Sequence, residues 1–329
     1  MNLKHLEKMI KPYKPLHDFD TIVIETNKIF HSFDAKNYDE KHVIVFDRIP
    51  QLYKEMCSLL PKDKNLKILN FGCGTGLEAS QLLKNLKNIE VIYCYDISEE
   101  MVNFCKVNLK KWEDKIVFLT NTEDIPKDIK FDVLLTNSLL HHLPKPIETI
   151  NELEKYLSKD SFYIMGHEPS IRYFNNKEVE ESLKIPIKPR EYSFVVRNLR
   201  RLVNVKHYPH YIKKLLRIKP KERENSYTLT ADIVVEKGLF EIQPPNQVII
   251  RLIDCNVPEN ASEKSGFDFR NISLHNDWDL IYSKTYNFLS DEVPFRKMSK
   301  EDQKKYIELE EKYPDDGLNF CCLWKRKDT

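Results

Sequence analysis

Lys67-Ile68-Leu69-Asn70-Phe71-Gly72-Cys73-Gly74-Thr75-Gly76 holds three of the chain's seven glycines within five residues, and its reading decides the fold. Glycine is required where φ is positive or where the backbone approaches another group closely. An apolar run (Ile68, Leu69, Phe71) leads into the cluster and helical spacing (Leu77, Ala79, Leu82, Leu83) leaves it. The order is therefore strand, tight turn and helix N-terminus, the local architecture of a nucleotide-type pocket.

The 329-residue chain supports an ordinary globular core, with 41% hydrophobic and 11% aromatic residues. No run approaches the length of a membrane span and Met1 to Tyr13 lacks the apolar core of a signal peptide, so a cytoplasmic location is expected. The seven cysteines form an odd, scattered set without a CxxC pair. That pattern argues against a disulfide framework and a zinc site, and predicts buried thiols and no bound metal.

From residue 66 to 165 strand and helix signals alternate. Helix 77–87 follows the glycines, then a strand at Glu90–Tyr95, Asp96 at its tip, and a helix opened by Ser98 with Glu99 and Glu100. Further strands are predicted at Ile116–Thr120, Phe131–Thr136 and Phe162–Met165, with helix 146–157 before the last. Strands apolar on successive residues and separated by helices imply a parallel sheet covered on both faces, a doubly wound α/β core. Trp278–Phe288 and Leu318–Arg326 read as two more strands completing it, joined by a partly helical Ser299–Lys312. The organisation expected is a helical flank or lid over 1–60, carrying Val43, Val45, Ile49, Leu52, Tyr53 and Leu59 at helical spacing. A core over 61–169, a cap over 170–276 and the strand pair over 277–329 follow it.

Two readings compete for the glycines. A nicotinamide fingerprint needs GxGxxG, but that third position is Leu77 and the third glycine comes one residue early. GxGxG with an acid, Asp96, 20 residues after Gly76 instead resembles the class I S-adenosylmethionine-dependent methyltransferases of small-molecule type. Leu69–Gly76 is similar to the family's first motif, Tyr95–Ser98 to its second, Asn121–Pro126 to its third and Phe131–Leu143 to its fourth, and Phe33-Asp34 and Tyr38-Asp39 resemble the segment that often precedes the fold. The resemblance spans residues 33–170 with the C-terminal strand pair. It implies a seven-stranded, mostly parallel Rossmann-like sheet with an antiparallel C-terminal strand and S-adenosylmethionine as methyl donor. It also implies cofactor contacts from Asn70, Gly72, Cys73, Gly74, Gly76, Asp96, Ile97, Met101, Asn121, Thr122, Glu123, Asn137 and Ser138.

Physical chemistry supports these assignments independently. Gly72 and Gly74 permit close approach to the adenosine, and Asp96 at a strand's C-terminal end is placed to accept ribose hydroxyls. Two positions depart from the family pattern, Asn70 and Asn121 standing where acids are usual. An amide forgoes charge attraction for the cofactor's amino group, so weakened cofactor binding is expected, with Glu123 or Asp124 as substitutes at the adenine.

Methyl transfer from a sulfonium is an in-line displacement, so the acceptor atom must sit about 3–3.5 Å from the methyl carbon. A base is needed only for an acceptor that carries a proton. Candidates are His141, His142 and His167 with Glu168, after the fourth and fifth strands, because an imidazole titrates near working pH. No HExxH is present, and the Asn137-Ser138-Leu139-Leu140 run lacks the Pro-Pro-aromatic of amino-methylating enzymes. A metal-independent transfer to a small-molecule or lipid- or sugar-like acceptor, most simply at oxygen, is expected.

The formal charge of +1 hides an asymmetry. Lys184–Arg223 carries 13 Lys/Arg against Glu191 and Glu222, a net +11. This segment fits a solvated helix face, a site for an acidic or phosphorylated acceptor, a membrane-surface helix for a lipidic one, or RNA. RNA modification and cofactor binding without catalysis are the alternative functions. Thr230–Gly238 reads as a capped helix ending at glycine.

Overall fold

Strand β1 (Leu66–Phe71) is apolar on successive residues because both of its faces are covered. In the computed structural model, which describes residues 3–41, 45–185, 187, 225–257, 267–268, 270, 277–290 and 293–327, it lies near the middle of a seven-stranded sheet. The others are β2 (Ile89–Tyr95), β3 (Ile116–Leu119), β4 (Phe131–Asn137), β5 (Leu157–Pro169), β6 (Trp278–Tyr286) and β7 (Asn319–Arg326), in the order β3-β2-β1-β4-β5-β7-β6. The first five run parallel, and β7 is antiparallel to both β5 and β6. This is the expected doubly wound sheet with its C-terminal strand pair. Strand order reverses between β1 and β4, so the crevice at their C-terminal ends is the natural ligand site.

Three helices precede the glycine segment's neighbour α4 (Val45–Leu59): α1 (Leu3–Ile10), α2 (Phe19–Asp34) and α3 (Tyr38–Lys41). Helices α5 (Leu77–Asn85) and α6 (Glu99–Leu109) connect the first strands, and α7 (Pro146–Leu153) connects β4 to β5. Beyond β5 come α8 (Lys177–Leu183), α9 (Ser226–Glu236), α10 (Asn246–Ile253) and, between β6 and β7, α11 (Lys300–Lys312).

One sheet face packs Leu66, Ile68, Ile92 and Leu135 against Leu52, Tyr53 and Met56 of α4 and Ala79 and Leu82 of α5. The other packs Leu69, Phe71, Leu134 and Tyr163 against Ile150 and Leu153 of α7. A third cluster joins segments far apart in sequence: Leu6, Ile10, Ile22 and Val23 of α1 and α2 meet Ala231 and Val234 of α9 and Ile249 and Leu252 of α10. Apolar stripes of the N-terminal helices and of the helices between β5 and β6 thus bury each other beside the crevice.

Several boundaries differ from the sequence reading. The helix expected from Thr230 begins at Ser226, where the Asn225 side chain accepts the Tyr227 N–H, and the Thr230 hydroxyl instead donates to the Ser226 carbonyl at 2.7 Å. Its end is as expected, with Gly238 at φ +72°. Strand β5 begins at Leu157, five residues before the predicted Phe162, and α7 closes at Leu153. All seven cysteines are free and buried, as expected. Val43 and the basic stretch from Lys188 to Arg223 lie outside the described residues. Among the described residues no helix is long and apolar enough to cross a membrane.

Candidate active site

The glycine turn is held by the neighbouring strand. Gly72 and Cys73 both donate their N–H to the Tyr95 carbonyl at 2.8 Å, which folds the loop over the end of β2. Gly76, at φ +89°, opens α5, and a Cβ there would lie 2.8 Å from Cys105 Sγ. Gly74, at φ +48°, differs, because nothing lies within 4 Å of where its Cβ would be. The first requirement is packing; the second is an open cradle facing a cavity. Behind the loop the Sγ atoms of Cys73, Cys94 and Cys105 converge within 4.8 Å, which their sequence spacing did not show.

That cavity, of about 300 Å³, is lined by Gly72, Cys73, Gly74, Asp96, Ile97, Met101, Thr122, Asn137 and Ser138 among the expected cofactor residues. Asp96 Oδ2 accepts the Gly74 N–H at 2.8 Å and Oδ1 the Ser98 N–H at 2.9 Å. Burial pushes its carboxyl up to about 6, against the lowering pull of those two donors. Asn137 Oδ1 accepts from the Tyr53 hydroxyl at 3.3 Å, which fixes the amide at the end of β4.

Four expected residues stand off the wall. Gly76 serves the α5 junction. Asn121 is exposed and donates to Asp124 Oδ2 at 3.4 Å, and Glu123 borders a neighbouring depression. Asn70 is 0% exposed, alternates with Ile68 on the face covered by α4 and α5, and neither polar atom of its side chain has a partner among the described residues. Conversely, the wall includes residues the sequence reading did not propose: His31, Tyr38, Glu78, Leu139 and Leu143. Glu78 is only 7% exposed, and burial with same-sign neighbours pushes its carboxyl up to about 8.

A larger cavity of about 810 Å³ adjoins the first, and His31, Tyr38, Ser138 and His142 line both. His141, His142 and His167 all reach it. The β5–β7 register shifts between Met165 and Glu168, a bulge that puts His167 at φ +51° and turns Glu168 inward. Glu168, 0% exposed, accepts the N–H groups of Leu139 at 2.8 Å and Leu140 at 2.9 Å, and faces His141 Nδ1 at 2.7 Å. Burial pulls the His141 ring down, but the Glu168 charge and hydrogen bond outweigh it and hold the ring above its ordinary value. His142 is the opposite case: burial and the adjacent His141 push it down to about 4. Its Nδ1 lies 2.9 Å from the Ile253 carbonyl, so the neutral ring carries its proton there and keeps the Nε2 lone pair. His167 Nδ1 lies 2.7 Å from the Tyr286 hydroxyl.

Residues 62–219 match a family described as a methyltransferase domain, and the sheet order and glycine cradle agree with it. The matched segment, just under half of the chain, is that of a class I S-adenosylmethionine-dependent methyltransferase domain. The chain is 26% identical over 156 residues to the malonyl-[acyl-carrier protein] O-methyltransferase of Halalkalibacterium halodurans, covering 45% of this chain and 55% of that protein. It is 27% identical over 177 residues to the ubiquinone biosynthesis O-methyltransferase of Pelagibacter ubique, covering 50% of this chain and 65% of that protein. The chain therefore spans somewhat over half the length of each. Among solved structures, the plantazolicin methyltransferase BpumL with a triazolic desmethylPZN analog and SAH is similar over 94% of this chain and 98% of that chain, at 16% identity and a TM-score of 0.46.

Proposed function

We propose that the protein transfers a methyl group from S-adenosylmethionine to an oxygen of a small-molecule acceptor, with His141 as the base. The observation that carries this reading is the junction of the two cavities at Tyr38, Ser138 and His142, with acids in the smaller and the His141–Glu168 pair in the larger. The residues present suit the donor. Gly74 leaves room for close backbone approach, Asp96 stands at the strand end where ribose hydroxyls are accepted, and Ile97, Met101 and Leu139 offer apolar walls to a planar base. When bound, the donor supplies a methyl group already activated on a sulfonium.

The rest is the protein's own work. Glu168 holds the Nδ1 proton of His141, so the ring keeps its lone pair on Nε2 to take the acceptor's proton. A base titrating near working pH is the most effective, which favours His141, held above its ordinary value, over His142 at about 4. His142, neutral at working pH, forms part of the passage between the cavities without adding charge beside the sulfonium. Oxygen is favoured because both curated relatives above are named O-methyltransferases.

The test is incubation of the full chain with methyl-labelled S-adenosylmethionine and a low-molecular-weight extract. Label in the small-molecule fraction, lost in His141→Ala and cleaved as an O-methyl group, is expected. Label entering RNA alone, or binding of S-adenosylhomocysteine without turnover on any extract, overturns the proposal.

A further inference from the structure

We propose that Glu78 supplies the carboxylate that holds the ammonium end of bound S-adenosylmethionine, in place of the acid that Asn70 lacks. The inference rests on the cofactor reading above and deepens it. The sequence alone suggested a weakened grip on that end, because the first motif carries an amide where an acid is usual. The fold removes Asn70 from the question, since it is 0% exposed and off the cavity wall. Glu78, the second residue of α5 and 7% exposed, is on it.

Its surroundings ask for a cation. Among the described residues, the ionisable groups that interact with it include Tyr38 and Asp39 from α3, Tyr53 from α4, Asp96 beyond β2, Cys94 from β2, Cys105 from α6 and Cys321 from β7. All are acids or weak acids. Among the described residues no Lys or Arg lines the smaller cavity; its histidines are His31 and His142, and burial keeps His142 neutral, pushed down to about 4. A buried carboxylate among acids is costly unless a positive group joins it, so in the unliganded protein burial holds Glu78 as the neutral acid up to about pH 8. The cofactor carries two positive groups, the sulfonium and the α-ammonium. Only the ammonium has N–H donors, and a carboxylate is an acceptor-only partner that needs them. Thr75, whose hydroxyl donates to Asp39 at 2.7 Å, lines the same cavity, so the polar end of a ligand meets polar groups there.

The consequence is a proton count. Binding of an ammonium converts the Glu78 carboxylic acid to its carboxylate, and the proton leaves to solvent while the ligand's own N–H₃⁺ is retained. A group titrating at about 8 is roughly nine-tenths protonated at pH 7, so close to one proton is released per ligand bound.

The test is calorimetry of the full chain with S-adenosylhomocysteine at pH 7 in two buffers of different ionisation enthalpy. The wild type is expected to release about 0.9 proton per ligand. Glu78→Gln is expected to bind about 10- to 100-fold more weakly with no release, and Glu78→Asp to restore the release. 5′-Methylthioadenosine, which lacks the amino-acid end, is expected to bind the wild type without it. If the wild type binds S-adenosylhomocysteine with no proton released, or Glu78→Gln releases the same number, the inference is wrong while the cofactor reading stands. Release with S-adenosylmethionine but not S-adenosylhomocysteine assigns Glu78 to the sulfonium and overturns the inference. Failure of the wild type to bind either molecule defeats the cofactor reading itself.

Discussion

Glu78→Gln is expected to make the unliganded protein more stable, by an amount that grows with pH. The Glu78 carboxyl is raised in the folded state from 4.5 to about 8, chiefly by burial. For a carboxyl with a raised folded value the unfolded chain ionises first, so the folded state holds the extra proton as pH climbs from 4.5 towards 8. Stability is therefore unaffected below about 4.5, falls through that window, and levels off above 8. Each unit of displacement corresponds to about 1.4 kcal/mol, which gives a penalty of about 3 kcal/mol at pH 7 and about 5 kcal/mol once the group is fully ionised. Glutamine fills the same volume without the charge and avoids the penalty.

Asp96, raised to about 6 by burial, imposes a penalty of the same sign over a lower window. It does so in both proteins, so the difference between wild type and variant isolates Glu78. Urea unfolding at pH 5, 7 and 8.5 reads that difference directly. The expectation is a gap of about 1 kcal/mol at pH 5, about 3 kcal/mol at pH 7 and a wider one at 8.5. The reasoning fails if the gap is independent of pH, or if the variant is the less stable at pH 8.5. Saturating S-adenosylhomocysteine is expected to narrow the gap, because the ligand's ammonium compensates the charge only in the wild type.

Three further outcomes are expected. Glu168→Gln removes the charge that raises His141, so the acid limb of the pH profile of kcat/KM moves to lower pH; an unmoved limb assigns the base elsewhere. His141→Ala lowers kcat by about 10²- to 10⁴-fold on an acceptor that carries a proton, checked by single-turnover methylation, and a loss under tenfold argues against its role as base. Gly76→Ala forces a Cβ to within 2.8 Å of Cys105 Sγ at φ +89°, costing about 2–4 kcal/mol, whereas Gly74→Ala meets nothing within 4 Å and costs only its left-handed φ, about 1–2 kcal/mol. Gly74→Ala is nevertheless expected to bind S-adenosylhomocysteine more weakly, and melting curves with calorimetry on both variants separate fold from ligand; unchanged affinity in Gly74→Ala refutes the cradle.

The sheet was legible in the sequence because buried parallel strands announce themselves by consecutive apolar residues, and because φ above zero leaves glycine as the usual choice at Gly72, Gly74 and Gly76. Asp96 was legible for a related reason: an acid at a buried strand's C-terminal end has few uses besides a ligand. The coming together of α2 with α9 and α10 was not, since periodicity shows that a helix has an apolar stripe but not which stripe covers it. The histidine pair was half legible. Consecutive residues on a tight 3₁₀ turn diverge by about 120°, so His141 meets Glu168 and His142 the Ile253 carbonyl. Adjacency made both candidates, and the fold gives them unlike partners.

Asn70, proposed from the sequence, lies off the cavity wall, and Glu78, not proposed, lies on it. Family position put Asn70 at the ligand, yet strand alternation, with Ile68 turned to one face and Leu69 and Phe71 to the other, already sends it behind the loop. Glu78 was hidden by a rule that usually holds: an acid in a helix's first turn reads as a favourable partner of the helix dipole. That rule is calibrated on helices whose N-termini face water. When the N-terminus is buried instead, with Asp96 and Asp39 nearby, desolvation exceeds the dipole's contribution and the same residue becomes a cost to the fold. A carboxylate that a fold carries at such a cost, on the wall of the pocket that must take a cation, finds its compensation in the ligand.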